Sequence, residues 1–147
     1  MANLVEQLKA EHVQLKQILK KAGDFSKPAV ERIGFLSEVK KGLLAHLGKE
    51  DRELYPVLSG VAQHNQEVRR ILEVFAKDME EIAPQVLAFF EKYEDVQWVS
   101  EKMRTDIAFP AEFGQDLERL VVLLGLRIGR EEATLYPTYD RVAMKAA

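Results

Sequence analysis

The sequence predicts an all-α fold, an antiparallel up-down four-helix bundle with a helical insertion between its third and fourth helices. Apolar residues recur at steps of three and four along four segments, which is the period of an amphipathic helix. No segment alternates apolar and polar residues for long, as a half-buried strand would. The 147 residues match the size of one domain, so we expect residues 1–147 to fold as a single unit.

Start and stop signals delimit the first two helices. Gly23 predicts the end of the first helix, and Ser26 followed by Pro28 predicts the start of the second. Pro56 and Gly60 are predicted to end the second helix. The stripe of the first helix contains Val5, Leu8, His12, Leu15, Leu19 and Ala22. The stripe of the second helix contains Leu36, Val39, Leu43, His46, Glu50 and Leu54.

Prolines also delimit the third and fourth helices. Pro84 is predicted to kink or end the third helix, and Pro137 to close the fourth. Residues 89–110, between them, are predicted to form a helical extension or an extra short helix, with Trp98 as a packing anchor or partner contact. The third stripe contains Val61, His64, Val68, Ile71, Phe75, Met79 and Ile82. The fourth contains Leu117, Leu120, Leu124, Arg127, Glu131 and Leu135.

An internal repeat supports a bundle made of two helical hairpins. Residues 46–56 (HLGKEDRELYP) recur as residues 127–137 (RIGREEATLYP), with Gly, Glu and Leu-Tyr-Pro in register. A weaker similarity relates the segment around His12 to the segment around His64. Two such hairpins packed together would bring all four stripes to one centre.

Composition narrows the class of protein. The net charge of −3 provides no broad basic surface for nucleic acid. The longest apolar run, residues 120–126, is far shorter than the ~20 residues of a membrane span, and residues 1–16 lack the apolar core of a signal peptide. The absence of cysteine excludes disulfides, thiolate ligands and cysteine nucleophiles. We therefore expect a cytoplasmic protein that binds neither nucleic acid nor membrane; the sequence leaves a homodimer open and names no protein partner.

The predicted core stripes contain metal-ligand residues, including all three histidines of the chain. His46 and Glu50 lie four residues apart, on one face of a helix. Because an unpaired buried carboxylate is costly, Glu50 and Glu131 need a partner, a shifted pKa or a metal. Imidazole and carboxylate together suit iron, zinc or manganese. We therefore predict a metal site formed by His12, His46, Glu50, His64 and Glu131.

The order of these residues resembles the hemerythrin-like family, the HHE cation-binding domain. That pattern has a histidine on the first helix, His-x-x-x-Glu on the second, a histidine on the third and His-x-x-x-Glu on the fourth. His12, His46 with Glu50, His64 and Glu131 match it in order. The resemblance covers nearly the whole chain apart from the insertion and the ends. It implies a four-helix bundle around a non-haem di-iron centre, and oxygen binding or a response to oxygen, nitric oxide or iron.

Arg127 stands where the family pattern has the histidine of the fourth helix. Its guanidinium stays protonated and cannot be a ligand. Arg127 could pair with Glu131 or Glu50 and replace one of two cations, or it could point to the end of the bundle while both ions bind. Alternatively, the site is empty and an Arg–Glu–His hydrogen-bond network takes its place. The cofactor is accordingly iron, as one or two ions, another divalent metal, or none.

Tyr55 and Tyr136 precede the two matched prolines. We expect both to pack at helix ends with the hydroxyl in solvent, although such hydroxyls could also donate hydrogen bonds to a metal site.

These observations predict a small iron-binding protein, not an enzyme, that acts in oxygen, nitric oxide or redox sensing or binding, or in iron handling. The sequence has no Ser–His–Asp arrangement, phosphate-binding glycine loop or Cys-x-x-Cys motif, so catalysis would have to involve the metal. The competing interpretation is a regulatory or protein-interaction bundle with a degenerate metal site.

Overall fold

A computed structural model describes residues 3–146, in which all regular elements are helical. The elements are α1 (Leu4–Ala22), α2 (Ala29–Lys49), α3 (Tyr55–Ala62), α4 (Gln66–Lys92), α5 (Val96–Thr105), α6 (Phe109–Arg130) and α7 (Tyr136–Ala146). Two five-residue π-helical segments, Glu50–Leu54 and Glu131–Leu135, join α2 to α3 and α6 to α7. The two joined pairs form long helices that pack with α1 and α4. The predicted all-α bundle is confirmed.

Capping residues mark both ends of α1. The Asn3 side chain accepts a hydrogen bond from the Glu6 N–H at 2.8 Å, and the Asn3 N–H donates to Glu6 Oε2 at 3.2 Å. This reciprocal pair satisfies two N–H groups that a helix start leaves free. Gly23 caps the other end of α1, as predicted.

The second helix begins at Ala29, directly after Pro28. Pro28 therefore marks the start, as predicted, but Ser26 does not cap the helix. The Ser26 hydroxyl donates to Asp24 Oδ1 at 2.6 Å, so it belongs to the preceding turn.

The prolines at positions 56, 84 and 137 do not end helices, contrary to the prediction for Pro56 and Pro137. Pro84 lies inside α4. Pro56 and Pro137 follow the π segments, in which the N–H groups of Tyr55 and Tyr136 bond to the carbonyl oxygens of residues five back. Because the backbone bonding changes register there, a residue without an N–H fits without breaking the helix.

The predicted helical position of His64 is wrong. α3 ends at Ala62 and α4 begins at Gln66, so His64 lies in the turn between them and is exposed. The Asn65 side chain starts α4 by accepting a hydrogen bond from the Val68 N–H at 3.1 Å. This cap separates the histidine from the helix that was expected to carry it.

The predicted insertion lies between α4 and α6 and forms α5, which packs against α2 and α6. Val99 is fully buried there. The Trp98 ring packs edge-on against Phe109, with 5.5 Å between ring centroids, while part of the indole stays exposed. Among residues 3–146, no helix has the length and apolar character needed to cross a membrane.

Two apolar cores lie along the bundle, with a polar layer between them. One core lies near the end that carries α5 and includes Leu15, Leu36 and Leu124. The other surrounds the ends of α3 and α7 and includes Leu8 and Leu54. The buried polar layer falls between these cores on each long helix except α4 and consists of His12, His46, Glu50, Arg127 and Glu131.

Candidate metal centre

Three side chains from three helices converge in the buried layer. His12 Nε2 lies 3.1 Å from His46 Nε2 and 3.0 Å from Glu131 Oε1. One ligand atom of each residue falls within 4.8 Å of those of the other two. Each residue is only 2% exposed, so water has little access to them. The structure thus brings together three of the residues that the sequence predicts as ligands.

Surface carboxylates orient both histidines. His12 Nδ1 lies 2.9 Å from Glu132 Oε2, and His46 Nδ1 lies 2.8 Å from Glu11 Oε1. A carboxylate accepts a hydrogen bond, so each pairing places a ring proton on Nδ1. When the imidazole is neutral, its Nε2 is left without a proton and faces the centre. This is how metal-binding imidazoles are commonly held.

Glu50 and Tyr136 complete the cluster. Glu50 is fully buried, and its Oε2 lies 3.6 Å from His46 Nε2. The Tyr136 hydroxyl lies 2.9 Å from Glu50 Oε2 and 3.0 Å from Glu131 Oε1. Tyr136 is itself fully buried, so the expectation of a solvent-exposed hydroxyl was wrong. The π segment explains the difference, because it brings residues five apart, Glu131 and Tyr136, to the same side of the helix.

The cluster contains more hydrogen-bond acceptors than donors. When both imidazoles are neutral and both carboxylates are ionised, two Nε2 atoms and two carboxylates converge, and the Tyr136 hydroxyl can donate only one proton to them. Glu50 Oε1 is buried and finds no hydrogen-bond partner among residues 3–146. Such an unpaired buried oxygen is costly unless a cation or proton reaches it. Nitrogen and oxygen donors in this arrangement therefore fit a transition-metal ion.

The two buried glutamates have opposite pKa shifts. Burial, together with the nearby negative charge of Glu131, raises the pKa of Glu50 to about 7. Burial would also raise the pKa of Glu131, but the hydrogen bond with His12, the nearby His46 ring and the charge of Arg127 outweigh burial and lower that pKa. Without a metal, Glu131 is thus the ionised carboxylate and Glu50 holds a proton near neutral pH.

His46 and Tyr136 respond to the same charges. Burial alone would lower the pKa of His46, but the nearby carboxylates of Glu131 and Glu50 and the hydrogen bond to Glu11 raise it overall. Burial and the two glutamates raise the pKa of the Tyr136 hydroxyl, so it keeps its proton. The cluster therefore binds protons tightly when no other cation is present.

Arg127 occupies the other side of the buried layer, inside the bundle and not at its end. Its Nε donates to Glu131 Oε2 at 3.0 Å. Its Nη1 donates to the Phe75 carbonyl and to Asp78 Oδ2, both at 2.9 Å, and Nη2 donates to the Tyr55 hydroxyl at 3.1 Å. The guanidinium is surrounded by acceptors. Glu131 meets Arg127 with Oε2 and meets His12 and the Tyr136 hydroxyl with Oε1.

His64 does not join this cluster, because the exposed turn that holds it lies outside the buried layer. The structure thus brings His12, His46, Glu50 and Glu131 together and leaves His64 apart.

A comparison with protein families matches residues 3–139 to the hemerythrin HHE cation-binding domain. The chain belongs to this family. No curated protein and no solved structure matched the chain. Membership supports cation binding by this hemerythrin domain, and the cluster of His12, His46 and Glu131 provides a place for the ion.

Tyr136 is the residue of this hemerythrin domain whose place in the cluster the sequence did not predict. The signal was present in the repeat, since a Tyr-Pro pair follows each buried glutamate at the same spacing. In a continuous α-helix, residues five apart lie on different sides, so a tyrosine at this spacing would not face the same centre as the glutamate. Only the π segment turns the tyrosine inward.

An apolar cavity of about 370 Å³ borders the metal centre of the hemerythrin domain. His12, His46, Arg127 and Glu131 form its polar side. The rest of the wall is mostly aliphatic and includes Leu15, Leu43, Leu47, Ile82, Val86 and Leu124. A small apolar molecule would therefore meet little polar surface on its way to the cluster.

Proposed function

We propose that this hemerythrin domain binds iron through His12, His46, Glu131 and Glu50, and that it binds or senses oxygen or nitric oxide without acting as an enzyme. The observation that carries the proposal is the convergence of His12 Nε2, His46 Nε2 and the Glu131 carboxylate beside Glu50, whose buried Oε1 has no hydrogen-bond partner among residues 3–146. Tyr136 extends the same set, because its hydroxyl touches both carboxylates.

The bound iron would supply a redox-active centre with affinity for small diatomic ligands. Glu11 and Glu132 would hold the imidazoles in the tautomer that leaves Nε2 free. Arg127 would fix the Glu131 carboxylate through its Oε2. The aliphatic cavity supports the choice of ligand, because oxygen and nitric oxide are small and nearly apolar.

The test is metal analysis by mass spectrometry on protein purified without oxygen, with an optical spectrum of the same sample. His46→Ala removes a central donor and should abolish iron binding. His64→Ala is the matched control, since His64 lies in an exposed turn and should leave the iron content unchanged.

Iron retained at the wild-type level by His46→Ala would contradict the proposed ligand set. A wild-type protein without any bound metal, even after reconstitution with ferrous ion, would contradict iron binding. It would then favour a regulatory bundle whose polar layer is held together by Arg127.

A further inference from the structure

The buried layer is built from two corresponding halves that differ in chemistry. In the internal repeat, His46, Glu50 and Tyr55 correspond to Arg127, Glu131 and Tyr136. Both glutamates begin π segments and both tyrosines follow them. The two long helices therefore present the same framework to the centre, and His46 and Arg127 occupy matching positions.

The short-range contacts extend this correspondence to α1 and α4. Glu11 on α1 accepts a hydrogen bond from His46 at 2.8 Å, and Asp78 on α4 accepts one from Arg127 at 2.9 Å. The residues that follow these carboxylates are His12 and Met79, and both line the same cavity. The counterpart of His12 is therefore Met79, whereas the sequence similarity suggested His64.

The second half lacks the imidazole nitrogens with which the first half can bind a metal ion. The two histidines of the first half are replaced by Met79, whose thioether is a weak acceptor, and by Arg127, which has only donors. Four acceptors surround the Arg127 guanidinium, namely Glu131 Oε2, Asp78 Oδ2, the Phe75 carbonyl and the Tyr55 hydroxyl. Met79 and Arg127 therefore provide no imidazole for a metal ion on their side of the layer, and a positive charge is already present there.

The charges of the layer agree with this arrangement. Asp78, which also pairs with Arg130 at the surface, lies against Arg127 and balances its charge. Glu50 and Glu131 provide two further negative charges, which one divalent ion would neutralise. A second divalent ion would stand beside a fixed guanidinium without a carboxylate of its own, and like charges repel strongly in a buried site.

We propose that this chain binds a single metal ion, and that the Arg127 guanidinium permanently takes the place of a second. The inference rests on the proposed function, since it concerns the same iron centre. The ion is held by His12 and His46 together with the carboxylates of Glu131 and Glu50, and Met79 with Arg127 occupies the other side of the layer.

The experiment measures ferrous ion per chain after anaerobic reconstitution and removal of excess metal, in wild type and in Met79→His/Arg127→His. Wild type should hold one ion, and the double variant should hold two, because it restores an imidazole at each matching position. The control Met79→Leu/Arg127→Gln removes the charge without adding donors and should stay at one ion. Circular dichroism and urea unfolding establish that each variant is folded.

Electron paramagnetic resonance of the oxidised samples gives an independent measure. In wild type, the signal of isolated ferric ions should account for all the iron, since no neighbouring ion can couple to it. In the folded double variant the signal per iron should fall, because two adjacent ferric ions couple. The wild-type measurement stands alone if the double variant does not fold.

Two ions in wild type, or a coupled pair in its spectrum, would overturn this inference but leave iron binding intact. A folded double variant that still holds one ion would overturn the assignment of Met79 and Arg127 as the second half. No iron in wild type would instead remove the proposed function itself, so the two failures are distinguishable.

Discussion

Glu11 Oε1 lies 2.8 Å from His46 Nδ1 and thereby fixes the imidazole from the side opposite the metal centre. The other oxygen of Glu11 accepts a hydrogen bond from Lys49 Nζ at 2.5 Å. Burial works to raise the pKa of Glu11, but its hydrogen bonds with Lys49 and His46 outweigh this and lower it. Glu11 is therefore ionised and able to hold the His46 proton on Nδ1.

The first prediction concerns this orienting contact. Glu11→Gln should weaken iron binding by about 10- to 100-fold, the effect usual for outer partners of metal ligands. The neutral amide accepts a weaker hydrogen bond and can also present an N–H group to Nδ1, which disfavours the tautomer that binds. Anaerobic competition with a coloured ferrous chelator measures the affinity.

The matched control for Glu11→Gln is Glu53→Gln, an equal change of charge at an exposed position in the first π segment. It should leave the affinity unchanged. Equal affinity in Glu11→Gln and wild type would mean that the surface carboxylate does not orient His46.

The second prediction concerns the hydroxyl that joins the two buried carboxylates. Tyr136→Phe should destabilise the metal-free protein by about 1–3 kcal/mol, because it removes the only tyrosine donor from Glu50 and Glu131 and leaves buried oxygens unsatisfied. Urea unfolding of the metal-free protein measures the loss.

Tyr139→Phe is the control for Tyr136→Phe, since Tyr139 lies on the same helix and is half-buried in the apolar core around α7. Its hydroxyl is not part of the cluster, so the change should alter stability by less than about 0.5 kcal/mol. Equal losses in the two variants would show that packing of the ring, and not the hydroxyl, stabilises this end of the bundle.

The sequence was sufficient for the fold because the helical stripes are long and nearly unbroken. Their apolar residues form the two cores. The polar residues that interrupt the stripes lie between these cores and contact one another. Helix ends were harder to predict from proline. Pro56 and Pro137 stay inside long helices because a π segment precedes each of them. The sequence pattern did not predict that the backbone hydrogen bonds there would span five residues and not four.

The candidate site was only partly predictable, because helix boundaries and tertiary contacts decide which residues reach it. His12, His46, Glu50 and Glu131 interrupt stripes that are otherwise apolar, which a sequence pattern can reveal. His64 fits the same pattern but lies in a turn, because the Asn65 cap delays the start of α4. Tertiary contacts alone show that Met79 lines the cavity beside His12 and follows the carboxylate that holds Arg127.

The third prediction is that the metal-free protein loses stability as pH rises from about 5 to 8. The pKa of Glu50 is raised from 4.5 to about 7, so its contribution is fully present below pH 4.5 and is lost as pH rises through 7. His46 acts in the same direction, because its pKa is raised from 6.5. Glu131, with a lowered pKa, contributes above pH 4.5 and is constant in this window.

Iron reverses this dependence, because binding must displace the protons that Glu50 and His46 hold. The increase in melting temperature on adding ferrous ion should therefore grow from pH 6 to pH 8, while the metal-free melting temperature falls. The part of the decline that comes from Glu50 has an upper limit of roughly 3–4 kcal/mol, since its pKa rises from 4.5 to about 7 and each pKa unit corresponds to about 1.4 kcal/mol. Glu50→Gln stays neutral at every pH and should flatten the metal-free profile. A metal-free protein that gains stability between pH 5 and 8 would show that Glu50 is ionised throughout, and that its buried oxygens are balanced without a metal.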